Sequence, residues 1–72
     1  MERNTAATLL KENLNAIFAF SLSRLYDKRE AEDLTHDIVC EVLSSSHRLK
    51  NDGAFYGYMW KIADFTFKKS KT

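Results

Sequence analysis

Seventy-two residues with one cysteine, two glycines, no proline and a formal net charge of +1 leave room for one small domain and none for a disulfide framework. The lone Cys40 fits a reducing compartment. The acidic and basic start with its short apolar patch over residues 6–10 is not a secretory leader, and no apolar run approaches the ~20 residues of a membrane span, so a cytoplasmic protein without a membrane partner is expected.

The first predicted helix covers residues 4–25, where Leu10, Leu14, Ile17, Phe18, Leu22 and Leu25 recur at three- and four-residue spacing. Within it, "FAFSLS" at 18–23 alternates with period two, which is also a strand pattern. The length and flanks favour a helix that can divide in two.

Asp27-x-x-Glu30 reads as a capping box opening a second helix that reaches about residue 49. At about 100° per residue, Ala31, Leu34, Ile38 and Val42 share one face, with Val39 at its edge. Glu30, Asp33, Asp37 and Glu41 form a second stripe. The helix dipole accounts for acids in the first turns. It does not account for Asp37 and Glu41, and Asp33, Asp37 and Glu41 repel one another at i, i+4 and i+8. A line of acids that costs stability points to a basic partner, with a plain solvated face as the alternative. Three serines at 44–46 weaken the helix end. "KNDG" at 50–53 is a turn.

The third predicted helix spans residues 54–69. Phe55, Met59, Ile62 and Thr66 form one line, Tyr56, Trp60, Ala63 and Phe67 a second, and Tyr58 and Phe65 flank them. Gly57, Lys61, Asp64, Lys68 and Lys71 make the polar remainder. Apolar coverage this broad exceeds an ordinary surface helix. Charge is divided along the chain. Residues 26–42 carry two cations against six carboxylates, a net of −4; residues 61–72 carry four lysines against Asp64, a net of +3. Two such segments suit two different partners, or neutralise each other within the fold.

"LYDKREAEDLTHDIV" at 25–39 resembles the second conserved region of bacterial RNA polymerase sigma factors, especially the extracytoplasmic-function type. The family pattern runs Gly-Asp-Arg-(Glu/Asp)-(Asp/Glu)-Ala-Glu-Asp-Leu-x-Gln-(Glu/Asp)-hydrophobic. Ala31, Glu32, Asp33 and Leu34 match directly, and Asp37 matches its acidic position. "FYGYMWKIA" at 55–63 resembles the family's Phe-Arg-x-Trp-Leu-Tyr-Arg-Ile-Ala segment at Phe55, Met59, Lys61, Ile62 and Ala63. The resemblance spans roughly residues 14–69.

The resemblance implies an all-α bundle of three main helices, filling residues 1–72 as one domain. It implies docking of Asp33, His36, Asp37 and Glu41 on the β′ subunit of core RNA polymerase. His36 stands at the family's glutamine position and can still donate or accept. It implies further that the third helix and the loop before it hold the non-template strand of the minus-ten promoter element single-stranded. Such binding needs aromatic faces and cations, which Tyr56, Trp60, Lys61 and Lys68 supply, with Lys50 and Asn51 facing an everted base. Two positions depart from the pattern: Asp64 replaces a usual basic residue, and Phe65 a frequent asparagine. An acid there repels phosphate. The implied partners are core polymerase, promoter DNA and an anti-sigma factor; no cofactor and no enzymatic activity are expected.

Two readings compete: a regulator that keeps the polymerase face without melting DNA, and a generic helical interaction domain. His36, Cys40 and His47 share a helical face, but their spacing matches no compact zinc site.

Overall fold

The computed structural model describes residues 1–70. Four α-helices follow one another: α1 (Arg3–Glu12), α2 (Leu14–Leu25), α3 (Lys28–Ser45) and α4 (Phe55–Ser70). Short 3₁₀ turns at Ser46–Arg48 and Asp52–Ala54 join the last two. Among the described residues there is no strand, and "FAFSLS" lies inside α2. The fold is all-α, as expected. Lys71, expected on the polar face of the last helix, lies outside the described residues, as does Thr72.

The long first helix divides at Asn13. The Asn13 side-chain amide donates to the Leu9 carbonyl at 2.7 Å, and its backbone N–H is shared between the carbonyls of Leu9 and Leu10, both at 3.1 Å. This local bonding lets asparagine leave helical geometry, and its backbone sits at φ −108°, ψ 9°. The buried line runs on through the break. Ala6 and Leu10 face the core from α1, and Ile17 and Ser21 face it from α2. The apolar line expected through Leu14 and Leu22 is corrected: the core takes Ala6, Leu10, Ile17 and Ser21, and those leucines are 44% and 38% exposed.

The turn into α3 is tight. Tyr26 ends α2 in the left-handed conformation at φ 57°. Asp27 then caps α3, its Oδ1 accepting from the N–H groups of Arg29 at 2.9 Å and Glu30 at 3.2 Å. No bond returns from the Glu30 side chain to complete the box among the described residues, so the cap is one-sided.

The far end of α3 is shorter than the periodicity suggests. The hydroxyls of Ser44 and Ser45 donate to the Glu41 carbonyl at 3.1 and 2.7 Å, and that of Ser46 donates to the Leu43 carbonyl at 3.1 Å. These bonds compete with the ladder, and the helix gives way to a 3₁₀ turn before His47. His47 thus leaves the helix that carries His36 and Cys40. Asn51 Oδ1 accepts from the Gly53 N–H at 2.8 Å, setting the turn that launches α4.

Helix α3 is the hub and packs against α1, α2 and α4. Its Leu34, Ile38 and Val42 meet Ala6, Leu10, Ile17, Phe55, Met59 and Ala63 in a continuous core. Ala31 and Ser21, both fully buried, keep the α2–α3 contact small-sided and close.

Candidate functional site

Burying one side of α3 forces its opposite side into solvent. Glu30, Glu32, Asp33, His36 and Asp37 are exposed, and Glu41, nearer the α4 side, is half-buried. The four residues expected to form an acidic contact face therefore lie on adjoining parts of one helix surface. His36 Nε2 lies 3.6 Å from Cys40 Sγ, one turn on.

The face is bounded by two grooves. Toward α4, Asp37, Cys40 and Glu41 line a groove of about 370 Å³ with Thr66, Lys69 and Ser70. Lys69 is thus carried to the carboxylates by helix packing, and a search along α3 alone does not reveal it. The Thr66 hydroxyl is buried beneath, with no hydrogen-bond partner among the described residues. Toward α2, His36 and Val39 line a second groove of about 510 Å³ with Leu14 and Phe18. Asp37 and Glu41 therefore share the α4 groove with Lys69, while Asp33 lies outside it.

Helix α4 sorts its aromatic residues by burial. Phe55, Met59, Ala63 and Thr66 are buried against α3, and Ile62 is half-buried. Tyr56, Trp60 and Phe65 are exposed. The Tyr58 hydroxyl donates to Ser45 at the end of α3, which fixes that ring as a tether. Around the exposed arc, Tyr56 and Trp60 form one flank and Lys61 and Lys68 the other, with Asp64 between them. Lys68 Nζ pairs with Asp64 at 3.0 Å, so one of the expected phosphate contacts is already neutralised. Lys50 and Asn51 are exposed in the loop, and the Asn51 carbonyl oxygen is committed to its cap.

Two residues on this side escaped the sequence reading. The Phe20 ring of α2 lies 5.7 Å from that of Trp60, tilted at 54°. The Arg24 guanidinium sits 4.6 Å from the centre of the Phe20 ring. The available signal was an aromatic and an arginine at i, i+4, a spacing that brings them to one helix face.

Among the described residues, no set of three His, Cys, Asp or Glu side chains converges to hold a metal ion, and no helix is long and apolar enough to cross a membrane. The arrangement offers an acidic surface on α3 and a mixed aromatic and cationic surface on α4 and its neighbours. The family model described as Sigma-70 region 2 matches residues 9–71. No curated protein and no solved structure shows significant similarity.

Proposed function

The chain belongs to the sigma-70 region 2 family, whose domains serve polymerase binding and promoter recognition in transcription initiation, and from that premise we propose how its two surfaces divide that work. The acidic face of α3 docks on a basic element of core RNA polymerase, the β′ coiled coil, through Asp33 and Asp37 with His36 and Glu41 beside them. Helix α4 and its preceding loop engage the non-template strand of the minus-ten element through Tyr56, Trp60, Lys61 and Lys68, with Lys50 and Asn51 at the loop. The extracytoplasmic-function group is the proposed subtype, and an anti-sigma factor is a further partner.

The observation that carries this reading is the solvent-facing pair Asp33 and Asp37 on a helix whose opposite side is fully committed to the core. Exposed carboxylates on one helix face are suited to a cationic partner.

The test is capture of core polymerase by the chain and by Asp37→Lys, with thermal unfolding measured for both. The expected result is loss of capture with an unfolding midpoint shifted by less than about 0.5 kcal/mol equivalent. Undiminished capture by the variant overturns the reading.

A regulator that binds polymerase without opening DNA is the second reading, favoured by the Lys68–Asp64 pair. Polymerase-dependent promoter opening that falls in Trp60→Ala supports the first reading. Binding without opening in either protein supports the second.

A further inference from the structure

The contact between α2 and α4 has no part in the division of labour above. Phe20 bridges it, with Trp60 at 5.7 Å on one helix and the Arg24 guanidinium at 4.6 Å on the other. Trp60 remains 37% exposed. Arg24 is exposed, its Nη1 donates to the Ser23 hydroxyl at 3.3 Å, and no carboxylate pairs with it among the described residues. A guanidinium laid over a ring keeps its in-plane N–H groups available, and their fork matches phosphate oxygens. The Lys68 ammonium beyond Asp64 is in the opposite condition, held by a carboxylate at 3.0 Å.

These two cations frame a choice of path for a single strand that stacks on Trp60. On the Lys68 side it meets a neutralised lysine and the Asp64 carboxylate. On the α2 side it meets an un-neutralised arginine laid over the Phe20 ring. Stacking on Trp60 tolerates any base, and a nearby cation supplies the backbone attraction.

We infer that the DNA strand leaves α4 at Trp60 and crosses onto α2, where Arg24, held over the half-buried Phe20 ring, binds a backbone phosphate. This rests on the proposed DNA engagement and adds to it a direction and two residues.

Trp60 is the chain's one tryptophan, so its fluorescence reads contact at the junction directly. The probe is a short single-stranded oligodeoxynucleotide of adenine and thymine, titrated into the chain alone and bound to core polymerase, across a range of salt. Wild-type emission is expected to be quenched on binding. Arg24→Gln should weaken binding several-fold and flatten the slope of log affinity against log salt by about 0.7, one phosphate contact on a single strand. Arg24→Lys should restore most of that slope, which also separates a lost contact from a lost fold. Lys11→Gln, at an exposed lysine of α1 that belongs to neither proposed surface, should leave affinity within about twofold.

An Arg24→Gln variant that binds like wild type, or a Lys11→Gln variant that loses as much as it does, overturns the path and leaves DNA engagement standing. Absence of wild-type binding in both settings overturns the path and DNA engagement together. Polymerase capture is scored separately and is untouched by either result.

Discussion

The Thr35 hydroxyl of α3 lies 3.1 Å from the Ser21 hydroxyl of α2, and both side chains are buried. Thr35 also reaches the Ala31 carbonyl at 2.8 Å, and Ser21 the Ile17 carbonyl at 3.0 Å. Two hydroxyl protons thus serve three short contacts, and neither oxygen is stranded. Because each hydroxyl keeps a backbone acceptor on its own helix, Ser21→Ala should cost only about 1 kcal/mol. Ser21→Leu must push α2 from α3 at a fully buried point and should cost about 1–3 kcal/mol beyond that. Urea unfolding of the two variants checks the order. A leucine variant as stable as the alanine variant would show that the crossing is loosely packed.

Tyr26 occupies the left-handed region at φ 57° while 88% exposed. The left-handed conformation costs an L side chain about 1–2 kcal/mol, and glycine is the usual residue at this position past a helix end. The resembling family pattern has glycine there, before the aspartate. Tyr26→Gly should therefore stabilise the fold, with part of the gain offset by the freer unfolded chain. A net of about 0.5–1 kcal/mol corresponds to a rise of a few degrees in a domain of this size. Thermal unfolding that shows a lower midpoint rejects the account.

Asp27 satisfies two otherwise orphaned N–H groups at the start of α3. Asp27→Ala should cost about 1 kcal/mol, and Asp27→Asn or Asp27→Ser much less, since either retains a capping oxygen. Since α3 is the hub of the packing, the loss should appear in global unfolding and not merely as fraying of one helix. Hydrogen exchange at Arg29 and Glu30 compared with exchange at Ile38 distinguishes the two.

The Lys68–Asp64 pair is a surface i, i+4 contact with both side chains more than half exposed. Asp64→Asn should change stability by no more than about 0.5 kcal/mol. It removes a negative charge from the exposed arc of α4 and releases a lysine, so single-strand affinity should rise at low salt. The gain should fade as salt screens it. An increase that survives high salt would point to a direct contact by residue 64 and not to charge alone.

Much of the fold follows from local sequence. Helix type, the Asp27 cap, the serine-weakened end of α3 and the turn at Asn51 depend on bonds within a few residues, so spacing and residue chemistry reveal them. The acidic stripe was legible for the same reason: once Ala31, Leu34, Ile38 and Val42 claim one face of a helix, Asp33 and Asp37 must take another. Tertiary packing alone decided the rest. Tyr56, Tyr58 and Trp60 are all amphipathic rings on one helix, and the neighbours of each decided which became a tether and which stayed open. Lys69 reaches the groove of Asp37 and Glu41, and Phe20 reaches Trp60, through helix crossings. The position of a crossing depends on how side chains from distant segments interdigitate, and a one-dimensional pattern carries no record of that.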